Sequence, residues 1–299
     1  MTHPTQRTLL ITGVSSGLGR AFAQGALEAG HTVAGTVRRP ADGAAFEALA
    51  PGRAHARVLD VTDDDAVVRT VRDVEERVGA IDVLIANAGY GLEGVFEETP
   101  LADLRAQFAV NVFGTAATVQ AVLPYMRARR RGHVLAVSSM GGLASFPGVS
   151  AYCGSKYAVE GLLEAVGKEV AGFGIHVTAI EPGSFRTDWA GRSMVRAPRS
   201  LPDYDELFEP IRAARQSADG RQLGDPAQAA AAVLRVLDLP RPPAHLVLGS
   251  DALRLVRAGR AAVDEDLAAW EELSRSTDFP QDGARSAASS GMVGTVGTS

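Results

Sequence analysis

The chain has one cysteine, Cys153, in 299 residues. A single thiol excludes an internal disulfide and a cysteine-rich metal site; a reducing cytoplasm is the simplest setting for it. Lysine is nearly as scarce, with Lys156 and Lys168 standing against 28 arginines. The six histidines are scattered without metal-ligand spacing, so no metal is expected. No run approaches the ~18 consecutive apolar residues of a bilayer-crossing helix. The start, MTHPTQRTLLITG, lacks a charged segment leading into a long apolar one, and no signal peptide is expected there. A net charge of −5 argues against nucleic acid or an anionic membrane as the main partner. What is present is 46% apolar residues, enough for a sizeable core, with an ordinary 22% charged.

Short β-branched runs alternate with longer helical patterns. The runs are 8–12, 31–37, 56–61, 81–89, 133–139, 175–183 and 244–250. Helical periodicity covers 17–29, 63–78, 101–130, 151–172, 226–238 and 251–274. Strands apolar on both sides and separated by helices imply a parallel sheet covered on both faces. Right-handed crossovers then give a doubly wound α/β Rossmann fold with seven parallel strands. No gap looks like an interdomain linker, so one domain is expected over 1–282. The segment 184–224, rich in Arg, Pro and aromatics, breaks the alternation and reads as a lid or binding loop. The Gly/Ser/Ala/Thr-rich tail 283–299 is expected to be disordered.

TGVSSGLG (Thr12–Gly19) joins the first strand to the first helix. Gly13, Gly17 and Gly19 permit a tight turn and a close backbone approach. The helix N-terminus then offers free N–H groups to a pyrophosphate; the plainer reading is a mere glycine turn. An NAD site would place a carboxylate at the end of the second strand, for the ribose 2′-OH. That strand ends in Val37, Arg38 and Arg39. Guanidinium forks suit a phosphate, which favours NADP; the alternative is that both arginines are simply solvated before Pro40.

Tyr152 and Lys156 are four apart on a predicted helix and share one face. A phenol is a poor base near neutrality, and an adjacent ammonium favours its phenolate. The same phenol can give its proton to a carbonyl oxygen. Alone, the spacing is common and structural. Here it opens a helix after the fifth strand, where open α/β sheets bind ligands. Ser138 and Ser139 end that strand, and a hydroxyl there could orient a substrate oxygen. Tyr157 has Gly161 four residues on, so it is read as packing.

These residues resemble the short-chain dehydrogenase/reductase family in its single-domain form, over about Thr8 to Ser250. The resemblance implies that Gly13, Ser15, Ser16, Gly17, Leu18 and Gly19 hold the cofactor. It places Asp60 at the adenine ring with Val61 beside it, and makes Asn87, Ala88 and Gly89 the motif that steadies the sheet. It implies an active site of Asn111, Ser139, Tyr152 and Lys156, with Ser139 preferred to Ser138 for standing thirteen residues before the tyrosine. Asn111 would hold a water linking Lys156 to solvent. Pro182 and Gly183 would flank the nicotinamide, and Thr187 its carboxamide or phosphates. The wording around VSSMGGL and YCGSKYAVEGL is similar to the NADP-preferring hydroxysteroid and retinol dehydrogenase-like branch. That implies an apolar alcohol or ketone substrate, and a homodimer or homotetramer through helices 101–130 and 151–172.

Four features invite other readings. Cys153 is read as a small packing residue and His176 as structural. RARRR (127–131) ends a helix, where cations complement the dipole. Phe185, Trp189, Met194, Leu201, Tyr204 and Phe208 either line an apolar pocket or close the fold's edge. A rival to the enzyme is an NADP-binding regulator or scaffold without turnover, which would need only the glycine turn and Arg38. A second rival is a related epimerase or dehydratase, whose glycine spacing and larger C-terminal region this chain does not show.

Overall fold

The computed structural model describes residues 6–187, 189, 191 and 193–279. The 283–299 tail and the end of the domain expected to reach 282 lie outside the described residues. The strands are β1 (Thr8–Ile11), β2 (Thr32–Val37), β3 (Ala54–Val58), β4 (Ile81–Ala86), β5 (Gly91–Glu93), β6 (Gly132–Val137), β7 (Ile175–Pro182), β8 (Met194–Arg196) and β9 (His245–Leu248). Seven of them form one sheet in the order β3-β2-β1-β4-β6-β7-β9, every pairing parallel. The expected doubly wound α/β sheet is therefore present. β5 and β8 pair separately, Gly91 opposite Met194.

Alternation along each strand feeds two apolar layers. Leu9 and Ile11 of β1, with Val83 and Ile85 of β4, point to one layer. Leu10, Leu84 and Ala86 point to the other. Helix α1 (Gly17–Glu28) covers the first layer. The crossover between β2 and β3 holds α2 (Pro40–Glu47), which periodicity does not reveal because its apolar side chains mark no clear face. Pro40 at its first turn starts it. Helix α3 (Asp64–Arg77) starts where the Asp63 carboxylate accepts from the Ala66 N–H at 2.8 Å, a cap worth about 1 kcal/mol.

The long pattern 101–130 resolves into α4 (Leu101–Phe108), a π-helical turn (Ala109–Gly114) and α5 (Thr115–Arg129). Leu101–Arg129 is also long and apolar enough, by length and composition, to cross a bilayer, with mean hydropathy 1.3 in its best window. No such run was expected. Val112, Val119, Val122 and Met126 lie in the second layer against Leu84 and Val134, so the core accounts for that apolarity.

Helix α6 (Ser150–Val170) completes this face. Within 184–224 lies α7 (Asp205–Ser217), so the segment is partly helical. Helix α8 (Pro226–Leu237) packs on α1 where a Cβ on Gly25 would sit 3.1 Å from that of Ala230. Helices α9 (Ser250–Ala269) and α10 (Glu271–Arg275) end the described chain. The chain divides into two compact units, Met1–Gly259 and Arg260–Ser299. The first holds both sheets. In the second, every described residue is exposed.

Three of the four arginines of 127–131 serve the fold. Arg129 binds Glu75 through two bonds of 2.7 and 2.9 Å and donates to Ile81 O at 3.0 Å. Arg130 lies over the Phe173 ring, and Arg131 pairs with Asp82 at 3.5 Å.

Candidate functional site

The candidate residues gather at the C-terminal edge of the sheet. Gly13 follows β1, Arg38 follows β2, Asp60 follows β3 and Asn87 follows β4; Ser139 follows β6, while Pro182 ends β7. Strand order reverses beside β1, the place where open α/β sheets leave a crevice for ligands.

The glycine turn is built for close approach. Gly13 and Gly17 have φ of +75° and +61°, which L side chains avoid. A Cβ on Gly19 would fall 2.3 Å from both Asn87 Nδ2 and Gly13 O. Asn87 Nδ2 donates to Thr12 O and Gly13 O at 2.9 and 3.0 Å. Thr12 Oγ1 accepts from the N–H groups of Asn87 and Ala88 at 2.9 and 3.0 Å. Asn87–Gly89 therefore clamps the turn from the neighbouring strand. Ser15 precedes Ser16, the N-cap of α1, whose side chain makes no cap bond; Leu18 packs on the first layer, and no acid stands in the first turn. N–H groups and a positive dipole end are left for an anion. Thr187 closes over this turn, its Cβ 3.8 Å from where a Cβ of Gly17 would be.

The two arginines after β2 separate. Arg39 is forked onto Asp42 at 2.9 and 2.8 Å. Arg38 is exposed and acts on Asp60 through its charge. Asp60 accepts from Thr62 N and Oγ1 at 2.9 and 2.8 Å, which holds its carboxyl below the usual range. Val61 is buried against the backbone position of Gly114.

Tyr152 and Lys156 lie on the buried face of α6, 8% and 5% exposed. Lys156 Nζ donates to Val137 O at 2.8 Å and sits 5.7 Å from the Tyr152 ring centre. Ser139 Oγ accepts from Gly141 N at 3.0 Å. Burial pushes the Tyr152 phenol up to about 12, against the Ser139 hydroxyl, which lowers it. Burial likewise pulls Lys156 down to about 8, opposed by Glu160. Tyr152 is held as the neutral phenol.

Asn111 stands in the π-helical turn, a local irregularity that often marks functional positions. Its Nδ2 donates to Tyr90 O at 3.0 Å and Ser155 Oγ at 3.1 Å, and its Oδ1 accepts from Tyr90 N at 3.1 Å. Seen from Gly89, Asn111 Oδ1 and Lys156 Nζ share one corner, 3.1 and 3.7 Å from a Cβ placed there. Gly183 lies against the Asp251 carboxylate, which accepts from Ser184 N at 2.9 Å.

Of the apolar side chains in 184–224, Trp189 packs on Tyr152 with centroids 5.1 Å apart and ring planes inclined at 58°, and Met194 joins it over Gly91. Phe185 packs into the first layer, Phe208 is buried against Gly148, and Tyr204 donates to Glu97 at 2.6 Å. Tyr157, read as packing, is 46% exposed. It lines an open depression of about 480 Å³ with Phe146, Pro147 and Cys153, on which none of Ser139, Tyr152 and Lys156 opens. Cys153 itself is buried, which raises its thiol's pKa. His176 is exposed, edge-on to the buried His133. Sequence reading missed Val137 O as the lysine's acceptor and the packing of Trp189 on Tyr152. It also missed Glu160, Glu181 and His245, whose donor atoms converge within 4.8 Å. Only the i,i+4 spacing of Lys156 and Glu160 could have signalled part of this.

Fold and site together define an α/β protein with a dinucleotide cradle beside a Ser–Tyr–Lys cluster. The short chain dehydrogenase family model matches residues 7–195. Oxidoreductase BOA17 of Botryotinia fuckeliana is 39% identical, over 88% of this chain and 96% of that protein. A 3-ketodihydrosphingosine reductase of Bacteroides thetaiotaomicron is 35% identical, over 81% of this chain and 87% of that protein. A solved short-chain dehydrogenase from Streptomyces avermitilis superposes with a TM-score of 0.86 at 43% identity, covering 93% of this chain and 100% of that one. The chain belongs to the short-chain dehydrogenase/reductase family. It is accordingly an oxidoreductase that works with a nicotinamide dinucleotide, and the glycine cradle and open α1 N-terminus fit that cofactor.

Proposed function

We propose that the chain is an NADP(H)-dependent oxidoreductase of apolar alcohols and ketones. The observation that carries this is Tyr152 buried on α6 after the strand that ends at Ser139, with Lys156 Nζ 5.7 Å from its ring. Ser139 and Tyr152 hold the substrate oxygen, and Tyr152 gives its proton to that oxygen or takes it back. Lys156 would hold the nicotinamide ribose, and Asn111 supports the path by which the phenol is reprotonated. Gly13, Gly17 and Gly19 would admit the pyrophosphate, with Pro182, Gly183 and Thr187 along the nicotinamide half. The bound cofactor supplies or accepts the hydride at the carbinol carbon. Arg38 supports NADP: its neighbour Arg39 is committed to Asp42, while its own guanidinium is exposed where a 2′-phosphate would lie. Trp189 and Met194 beside Tyr152 support an apolar substrate. The reading includes a cytoplasmic homodimer or homotetramer.

The test is NADPH oxidation over ketones graded from acetone to long-chain alkyl ketones. Tyr152→Phe should lower kcat by at least about 100-fold with the NADPH Kd within about twofold; a regulator without turnover would show no rate to lose. Arg38→Glu should weaken NADPH at least about tenfold and leave NADH unchanged, one lost charge-assisted phosphate contact. Equal binding of the two cofactors by the native chain would sink the NADP assignment.

A further inference from the structure

Behind the candidate active site lies a second polar cluster whose members come from three elements. Glu160 sits one helical turn beyond Lys156 on the buried face of α6 and is 7% exposed. Glu181, fully buried, is the β7 residue immediately before Pro182 and Gly183. His245 opens β9, and its Nδ1 lies 2.6 Å from Glu181 Oε1 and 3.5 Å from Glu160 Oε2. Ser138 Oγ, Glu160 Cγ and the Lys156 carbonyl converge around Gly142, at 2.7, 3.0 and 3.0 Å from a Cβ placed there.

We propose that Glu160, with Glu181 and His245 set against it, is a positioning residue that holds Lys156 in its ammonium form. This rests on the reading of Lys156 as a working group of the site. Lys156 needs such a partner: its Nζ is buried on a neutral carbonyl, and Glu160 is the acid that acts on its charge. Burial raises Glu160 to about 7, with Glu181 adding to the rise and Ser138 and His245 opposing it. Its charge therefore changes near neutrality. Glu164, a turn further along α6, is paired with Lys168 at 2.5 Å, and so is not the partner of Lys156. Three such donors could in principle ligate a cation. At 2.6 Å, however, His245 Nδ1 and Glu181 Oε1 stand at the separation of a charge-assisted hydrogen bond, so a proton between them is the simpler occupant.

The sign follows from the charges. Once Glu160 ionises, its carboxylate keeps Lys156 protonated to higher pH; while Glu160 is neutral, Lys156 loses its proton more readily. Glu160→Gln keeps the shape and removes the charge. Its kcat/KM for NADPH-dependent ketone reduction should stay within about twofold of the native value at pH 6, and fall about tenfold at pH 9. The alkaline limb should move down by about one pH unit. Parallel profiles, lowered by one factor at every pH, would mean a merely structural role and overturn the proposal.

A second measurement needs no turnover. The ¹⁵Nζ resonance of Lys156, titrated in the native chain and in Glu160→Gln, should give a midpoint about one pH unit lower in the variant. Identical midpoints would overturn the inference. So would a native midpoint that moves when EDTA strips, and Zn²⁺ restores, a bound ion. If no ketone is reduced but the Lys156 midpoint still moves, the catalytic reading fails while the charge coupling to Glu160 stands.

Discussion

At the residue scale, burial opposes charge on both partners of the candidate pair, raising Tyr152 to about 12 and lowering Lys156 to about 8. For Lys156 the stability consequence has a definite sign. Its folded pKa lies below the unfolded value of 10.5, so its contribution is full above about 10.5 and is lost as pH falls through about 8. At pH 6 the native chain carries a buried ammonium that the unfolded chain would rather keep. Lys156→Met should therefore raise stability at pH 6 by about 1–2 kcal/mol, after the lost bond to Val137 O is charged against it, and with it Tm. The gain should vanish by pH 10.5, and turnover should be lost at every pH. Thermal scans across that range check this, and a uniform gain would contradict it. The places of Tyr152, Lys156, Ser139 and Gly19 at this edge of the sheet were legible in the sequence because they follow strand ends. Glu160 was legible only as a spacing, since its partners Glu181 and His245 lie 21 and 85 residues further along.

At the scale of elements, the segment after β7 is fastened to the loop after β4 by charge. Glu93, 1% exposed, faces Arg196, Arg212 and Arg215, while Glu98 takes Arg199. The β5–β8 pairing runs through the same residues and sets Met194 and Trp189 over Gly91. Removing the Glu93 carboxylate takes away the acid that Arg196, Arg212 and Arg215 share, while Arg212 keeps Glu209 at 3.5 Å. Breaking a fully buried pair costs ~3–5 kcal/mol, and about 2–3 kcal/mol is expected here because the arginines keep some contact with water. Glu93→Ala should raise the KM for ketone at least about fivefold, speed proteolysis within 194–217, and leave the NADPH Kd within about twofold. A variant that weakened only NADPH binding would place this network with the cofactor instead. None of it showed in the sequence. An arginine-rich loop reads as solvated until the acids that pair with it are brought alongside.

For the whole molecule, the sheet and every candidate site residue fall within Met1–Gly259, and each described residue from Arg260 to Phe279 is exposed. A chain ending at Gly259 should keep its far-ultraviolet dichroism, and its NADPH Kd should change by less than about threefold. Loss of cooperative unfolding would show that the second unit carries part of the stability.

Some properties were determined by the sequence alone. Strand and helix periodicity, glycines at one junction and a lysine four residues after a tyrosine are local patterns, and local patterns survive in one dimension. They defined the parallel α/β sheet and the residues of its C-terminal edge. Tertiary structure decided what depends on partners remote in sequence. It spent Arg39 on Asp42 and left Arg38 exposed, packed Trp189 on Tyr152, and turned Tyr157 outward. It also buried Tyr152, which favours its neutral phenol. The reason is physical: desolvation and ion pairing depend on which groups meet in space, and only the folded chain settles that.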